Sequence, residues 1–216
     1  MMNGIINIYK EKGFTSFDVV AKLRGILKTR KIGHTGTLDP DAEGVLPVCV
    51  GKATKICELL TDKTKEYEAV MLLGRTTDTQ DVTGETLTQQ EVRCSAKEVE
   101  KAVLSFAGDY MQVPPMYSAI SQNGVRLYKL ARQGIEVERE SRTVNISSIS
   151  LVGCNEKNGE YTISVECSAG TYIRSLVADI GEKLGCGAVM TALRRTKANG
   201  FPIDGCITLD ELAELA

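Results

Sequence analysis

The sequence predicts an α+β fold, with a mixed and mostly antiparallel sheet flanked by helices. Stretches with alternating apolar residues, typical of strands, occur beside stretches with apolar residues every three or four positions, typical of helices. They are mixed along the chain without the strict strand-helix-strand alternation of a doubly wound parallel sheet. Apolar residues make up 43% and charged residues 25% of the 216 residues, which excludes a disordered or fibrous protein.

The first part of the chain is predicted to form a strand, a helix, a strand and a short helix. Residues 4–9 alternate loosely between apolar and polar residues, as a short strand does. Thr15 and Asp18 have the spacing of a capping box, and apolar residues then recur at helical spacing. Residues 45–50 are a continuous apolar run of strand length, and 52–60 predict a short helix.

The middle of the chain is predicted to alternate between regular elements and loops. Residues 66–73 carry apolar side chains on alternate positions, which predicts a strand with one buried face. Residues 75–85 are dense in Thr, Asp and Gly and predict a loop. Ser95 begins a second capping box, and its helix ends at Gly108. Residues 109–120 contain two prolines and are expected to be extended and irregular.

The last part of the chain contains the most regular predicted helix, at 171–184, with one apolar stripe and Gly185 beyond its end. The other predicted elements are a short helix at 124–134, strands at 143–152, 160–167 and 187–197, and a capping box that begins at Thr208.

Charge and cysteine content narrow the class of protein. A net charge of -2 argues against a protein that coats nucleic acid non-specifically. Basic clusters at 22–31 and 194–197 are either solvated faces or a localised phosphate track. Seven scattered cysteines and a single histidine predict reduced thiols, mostly buried, and no metal site. Without a membrane-length apolar run or a signal-peptide layout, we expect a cytoplasmic protein with no membrane partner.

One stretch, residues 33–44, is dense in chemically useful side chains. It reads Gly-His-Thr-Gly-Thr-Leu-Asp-Pro-Asp-Ala-Glu-Gly and contains the only histidine, His34, which is a structural hydrogen-bonder or a catalyst. It has no lysine for a phosphate-binding P-loop and no glutamate at the twelfth position, counted from Asp39, for a calcium loop. No nucleophile elbow accompanies the histidine. A surface loop rich in turn formers is the alternative.

Among the three carboxylates of this stretch, Asp39 differs because Leu38 and Pro40 surround it with apolar bulk. A carboxylate in such a place needs a cation partner to remain ionised. Arg174, in the first turn of the most regular helix, is a candidate, and an exposed helix charge is the alternative interpretation.

A series of motifs follows one order from residue 5 to about residue 208. The motifs are Gly33-His34-Thr35-Gly36-Thr37-Leu38-Asp39-Pro40 with Ala42-x-Gly44-x-Leu46-Pro47, Lys65-Glu66-Tyr67, Gly74-Arg75-x-Thr77-Asp78-Thr79-x-Asp81 with Gly84, Gln112-Val113-Pro114-Pro115-x-Tyr117-Ser118-Ala119, Gly170-Thr171-Tyr172-Ile173-Arg174-Ser175-Leu176, and Leu193-Arg194-Arg195. Together they resemble the TruB family of tRNA pseudouridine synthases.

The resemblance implies a pseudouridine synthase fold around a central RNA-binding cleft, and an isomerase that needs no cofactor and no metal. It implies that Asp39 is the catalytic carboxylate, either as nucleophile or as base, and that Arg174 pairs with it. It also implies that Tyr67 lies over the uracil and helps to remove the C5 proton. An ordinary strand aromatic is the alternative for Tyr67, because its place in the alternating pattern fits that equally well.

The resemblance further implies substrate contacts and a substrate. The matching contact residues are His34, Tyr172 and Leu193, Asp81 in a loop that approaches the flipped nucleotides, and Lys10, which is followed by Glu11 where the family commonly has proline. The implied partner is tRNA, bound through its TΨC arm, with uridine 55 flipped out of its stack. The basic clusters would follow the RNA backbone. A monomer is expected.

The resemblance also predicts a domain division. Residues 1–207 would form the catalytic domain, and 208–216 would begin a C-terminal extension without the PUA-type domain that members of the family usually carry. The alternative function is therefore a non-catalytic tRNA-binding or tRNA-folding module. A nucleoside hydrolase that uses Asp39 is a third hypothesis.

Overall fold

The computed structural model describes residues 2–61 and 64–215. In chain order the strands are β1 (Gly4–Lys10), β2 (Ile32–His34), β3 (Glu43–Val50), β4 (Lys65–Leu73), β5 (Arg75–Thr77), β6 (Thr86–Gln89), β7 (Gly108–Gln112), β8 (Ser121–Gln122), β9 (Val125–Arg126), β10 (Arg142–Asn155), β11 (Glu160–Cys167), β12 (Ala188–Ala198) and β13 (Phe201–Pro202). The α-helices are α1 (Ser16–Ile26), α2 (Cys57–Thr61), α3 (Ala96–Leu104), α4 (Leu127–Ala131), α5 (Ile173–Lys183) and α6 (Leu209–Leu215), and 3-10 helices cover Gly51–Ile56 and Ile203–Gly205.

The chain forms two compact units. The first unit comprises Met1–Glu68, Glu166–Ala169 and Ala192–Ala216, and the second comprises Ala69–Val165 and Gly170–Thr191. Strands β4 and β12 continue from one unit into the other. The mixed, mostly antiparallel sheet confirms the predicted fold class.

In the first unit the strand order is β1-β3-β12-β4, with β2 also paired to β3 and β13 to β12. Strands β1 and β3 are antiparallel, whereas β3 and β12 are parallel where Glu43 lies opposite Arg194. Helix α1 begins at the predicted capping box, in which Thr15 accepts from the Asp18 N–H. Its buried side chains pack on Ile8 and Leu46 of the sheet. The core of this unit therefore lies between α1 and the sheet.

In the second unit the strand order is β12-β4-β11-β10-β7. The predicted alternation in β4 and β11 is confirmed, because every second side chain of each strand is buried. Helix α5 buries the apolar stripe that its sequence predicts. Helix α3 begins at the predicted Ser95 capping box and buries Val99, Ala102 and Val103.

Two stretches that were predicted to be irregular, a loop at 75–85 and an extended segment at 109–120, contain strands. Residues 75–85 begin with β5, which pairs with β6, and 109–120 begin within β7, which pairs with β10. Strand β7 buries Gln112 rather than an apolar side chain at its end, so it lacks the alternation that marks a strand in sequence. Its position depends on backbone pairing with β10.

The predictions about cysteines and membrane segments can also be compared with the structure. All seven cysteines are free thiols, but only three of them are buried, so the expectation that most are buried is wrong. Across residues 2–61 and 64–215, no helix has the length and apolar character needed to cross a membrane.

Candidate active site

The backbone directly before Asp39 is anchored to helix α1. The Leu38 N–H donates to the Ser16 hydroxyl at 2.9 Å, and the Leu38 carbonyl lies 3.3 Å from the same hydroxyl, which donates to it. Ser16 is the first residue of α1, and both side chains are buried. The capped start of the helix thus fixes the loop between β2 and β3 at the residue next to Asp39.

The backbone directly after Asp39 is held from the end of β1. The Pro40 carbonyl accepts hydrogen bonds from the Lys10 ammonium at 3.1 Å and from the Gly13 N–H at 2.9 Å. The Asp39 carbonyl accepts from the Ala42 N–H at 3.1 Å, which closes a turn. Asp39 itself is half-buried. Its carboxylate is therefore carried by a loop whose backbone is held on both sides.

Lys10 has its ammonium inside the protein. Its side chain is 0% exposed, and Nζ donates to the carbonyls of Glu11, Phe14 and Pro40 at 3.0, 2.6 and 3.1 Å. Burial lowers the pKa of Lys10 to about 8, although the nearby carboxylates of the loop oppose this shift. The sequence led us to expect a substrate contact, whereas the structure makes Lys10 an anchor of the Asp39 loop.

His34 ends β2 and is half-buried. Its Nδ1 accepts a hydrogen bond from the Gly36 N–H at 3.3 Å, so the ring proton of the neutral form belongs on Nε2. Burial and the positive charge of Arg195 lower the pKa of His34. At neutral pH the ring is therefore uncharged and presents an N–H donor.

Tyr67 and Leu193 are both buried, on β4 and β12. Burial raises the pKa of the Tyr67 phenol, and the guanidinium of Arg195 beside its hydroxyl opposes the shift. The charge of Asp39 is near enough to raise the pKa of Tyr67 further. In the first unit, Asp39 and Tyr67 therefore lie close enough for the charge of one to act on the other.

Arg195 is a site residue that sequence reasoning missed. It is 1% exposed, and its guanidinium donates to the carbonyls of Val45, Thr37 and Gly36 at 2.7, 3.5 and 3.1 Å. The sequence placed it in a basic cluster that would follow the RNA backbone, which is wrong because the side chain is buried. The alternation along β12 was the available signal, since it turns Leu193 and Arg195 to the buried face.

The two other basic residues of that cluster are engaged in ion pairs. Arg194 contacts Glu43 at 2.8 Å, and Lys197 contacts Glu66 at 2.8 Å. Both pairs are partly exposed, so their charges are partly compensated where a phosphate track was expected.

Gly44 serves the packing of the protein. It has a φ of +106°, and a Cβ at this position would lie 2.3 Å from the Arg195 carbonyl oxygen. The glycine therefore admits the backbone of the neighbouring strand β12.

In the second unit, Arg174 is a buried residue at the start of α5. Its guanidinium donates to the carbonyls of Thr79 and Tyr117 at 3.0 and 2.9 Å, and it lies 3.9 Å from the Asp81 carboxylate. The alternative of an exposed helix charge is therefore wrong. The expected pairing of Arg174 with Asp39 stays a prediction.

Asp81 shapes the loop that follows β5. One of its carboxylate oxygens accepts from the Thr79 hydroxyl at 2.8 Å and from the Thr83 N–H at 3.0 Å. The other oxygen faces Arg174. The loop expected to approach RNA is thus organised around one carboxylate.

Tyr172 precedes α5, and the side chain of Gln112 holds its backbone. The Tyr172 N–H donates to the Gln112 amide oxygen at 2.8 Å, and the amide nitrogen donates to the Tyr172 carbonyl at 3.0 Å. Gln112 is buried, so this pair is protected from water. The interaction positions the half-buried Tyr172 and the first turn of α5, which carries Arg174.

Comparison with known families gives two matches that together cover most of the chain. The sequence model of the TruB family pseudouridylate synthase N-terminal domain matches residues 24–173. That of the tRNA pseudouridylate synthase B C-terminal domain matches residues 174–216.

Individual relatives agree with the family matches. Proteins named tRNA pseudouridine synthase B from Alkaliphilus oremlandii and Lachnoclostridium phytofermentans are 53% and 58% identical to this chain over 214 and 219 residues. Each comparison covers 99% of this chain and 71% of the relative.

A chain in the crystal structure of a Cbf5-Nop10-Gar1 complex superposes with a TM-score of 0.77 at 34% identity. The match covers 98% of this chain and 54% of that chain, so the present chain spans about half its length. This similarity confirms the expected pseudouridine synthase fold. Since the family match extends over residues 24–173 and close relatives span 99% of the sequence, the chain belongs to the TruB family of pseudouridylate synthases, which are isomerases.

Proposed function

We propose that this chain converts uridine 55 in the TΨC loop of tRNA to pseudouridine, with Asp39 as the catalytic carboxylate. The observation that carries the proposal is the loop of Asp39, whose backbone is held on both sides while the carboxylate stays half-buried near Tyr67. The names of the relatives support tRNA as the substrate.

The reaction requires three chemical events at one uridine. The glycosidic bond from N1 breaks, the uracil turns, and C5 forms a new bond to the sugar before its proton leaves. Asp39 acts first, either by attacking the sugar, with an ester that breaks again when C5 bonds to the same carbon, or by removing a proton that starts the cleavage. The C5 proton is lost to water and N1 takes up a proton in its place, so the reaction needs no other reactant and the residues bind, orient and move protons.

Tyr67 supplies an aromatic face for the flipped uracil and a hydroxyl for proton movement. Its pKa is raised, so the phenol is protonated at neutral pH and donates a hydrogen bond before it takes part in proton transfer. We assign His34 a donor role toward the RNA, because its Nδ1 is occupied by the Gly36 N–H.

Arg174, Tyr172 and Asp81 belong to the second unit, and we propose that they complete the site. Arg174 would pair with Asp39, and Tyr172 would contact the flipped nucleotide. The Gln112 amide and the carbonyls of Thr79 and Tyr117 already hold these residues in place. Preorganisation of this kind reduces the cost of orienting the reacting groups. We further propose that the protein acts as a monomer in the cytoplasm.

The test is position-specific detection of pseudouridine in an unmodified tRNA transcript. After incubation with the protein and carbodiimide treatment, reverse transcription should stop beside position 55 and at no other uridine. A transcript with cytidine at that position serves as the control. A stop at a different uridine would contradict the proposed specificity.

Two other outcomes would replace the proposal. Tight binding of the tRNA without any pseudouridine would favour a non-catalytic tRNA-binding or tRNA-folding module. Release of free uracil from the tRNA would instead indicate a hydrolase that uses Asp39.

A further inference from the structure

The two ends of the loop from Gly36 to Val45 are bound by one side chain, that of Arg195. The guanidinium of Arg195 donates to the carbonyls of Gly36 and Thr37 at the start of the loop and to that of Val45 at its end. Asp39 lies between these anchor points. A single planar group therefore sets the distance between the two ends of the loop that carries the carboxylate.

Arg195 also lies beside Tyr67. Its positive charge lowers the pKa of the Tyr67 phenol against the effect of burial, and the same charge acts on His34 and Lys10. The backbone of Arg195 is fixed in turn, because it pairs with Gly44, where a side chain would overlap it. The residue thus joins the loop of Asp39 to the strand that carries Tyr67.

We propose that Arg195 is a positioning residue, which holds the carboxylate of Asp39 and the ring of Tyr67 in a fixed relation during the reaction. This proposal rests on the proposed function of Asp39 and Tyr67. Arg195 is 1% exposed and its donors bind backbone carbonyls, so its role runs through Asp39 and Tyr67 rather than through a contact with the RNA.

Lysine cannot replace this arrangement. A guanidinium offers five N–H donors in a rigid plane, whereas the ammonium of lysine is a compact point charge on a shorter side chain. Arg195→Lys keeps the buried charge but cannot contact both ends of the loop. Arg195→Met removes the charge and keeps much of the volume.

The experiment measures the single-turnover rate of tritium release from tRNA labelled at C5 of uridine, together with tRNA affinity and melting temperature. We expect Arg195→Lys to lower the rate by about 100-fold, which is typical of misplaced reacting groups, while the affinity for tRNA changes less than about twofold. Leu23→Ala, on the buried face of α1, is the control, because it lowers the melting temperature by opening a cavity in the core of the first unit.

A second readout separates positioning from general destabilisation. If Arg195 acts partly through Tyr67, the effects of Arg195→Lys and Tyr67→Phe on the rate will be non-additive. The proposal is overturned if Arg195→Lys reacts within about threefold of the unaltered protein, or if its loss of rate is matched by Leu23→Ala.

If the variants are too unstable to assay, the unaltered protein provides the test. In protein labelled with 15N-arginine, the Arg195 Nε–H should exchange with water far more slowly than that of the exposed Arg93. Equally fast exchange would overturn the proposal.

If the unaltered protein releases no tritium, the proposed function fails, whereas activity in both the unaltered protein and Arg195→Lys defeats the Arg195 proposal alone.

Discussion

His34, the only histidine of the chain, makes the stability of the protein depend on pH. Its folded pKa is lowered by burial and by Arg195, whereas the unfolded chain has a value near 6.5. As the pH falls below 6.5, the unfolded state therefore binds a proton first, and the free energy of unfolding decreases. His34→Gln should remove this decrease. Urea unfolding between about pH 7 and pH 5 measures it.

The single histidine makes the comparison specific, because no other imidazole titrates in that range. A variant that loses stability on acidification as steeply as the unaltered protein would contradict the role assigned to burial and Arg195.

Asp179, on α5, is expected to act in the opposite direction. Burial, with a smaller effect from Glu182, raises its pKa from 3.8 to about 6. The folded state therefore binds a proton before the unfolded state does, and stability increases as the pH falls from about 6 toward 3.8. Asp179→Asn should remove this increase, so that the free energy of unfolding falls more steeply below pH 6.5. An unchanged profile in the same urea series would contradict the shift.

At the scale of elements, the start of α1 links helix stability to the position of Asp39. Ser16→Ala removes the hydroxyl that bonds both the N–H and the carbonyl of Leu38. We expect it to cost about 1–3 kcal/mol of stability, because the Leu38 N–H is left buried and unpaired. We also expect a slower single-turnover rate, because Asp39 follows Leu38 directly.

The matched control is Thr15→Ala, one residue earlier in the chain. It removes the cap of the same helix and should cost about 1 kcal/mol, without touching the loop of Asp39. Equal rates in the two variants, at comparable losses of melting temperature, would show that Ser16 only stabilises the helix.

The elements found by sequence reasoning are those with a local signal. Helices α1 and α3 begin at capping boxes, and β4 and β11 alternate between apolar and polar residues. Strand β7 was predicted only as irregular extended chain, because its buried end residue is the polar Gln112, whose amide holds Tyr172 sixty residues further along. A contact between distant segments leaves no periodic pattern in either of them.

The same limit applies to the candidate site. The motifs identified Asp39, Tyr67 and Arg174, but the buried environment of Arg174 could not be predicted, because its carbonyl partners lie in other segments. Arg195 was assigned to a basic cluster along the RNA backbone and Lys10 to a substrate contact, since the sequence does not distinguish such charges from ones that bind backbone carbonyls. Only the folded structure shows that both hold the Asp39 loop.

At the scale of the whole molecule, the proposed function requires residues of the second unit as well as Asp39. Tyr172 and Arg174 are placed by Gln112 and by the loop of Asp81, far from Asp39 in sequence. The roles proposed for these residues of the second unit depend on the carboxylate of Asp39, which belongs to the first unit. The central claim of the account is the role of Asp39.

The most direct test of that claim compares tritium release from C5-labelled tRNA by the unaltered protein, by Asp39→Asn and by Asp41→Asn. Asp41 is exposed two residues further along the same loop and serves as the matched control. We predict that Asp39→Asn lowers the single-turnover rate by more than about 1,000-fold, while Asp41→Asn stays within about threefold. Release by Asp39→Asn at the rate of the unaltered protein would contradict the account.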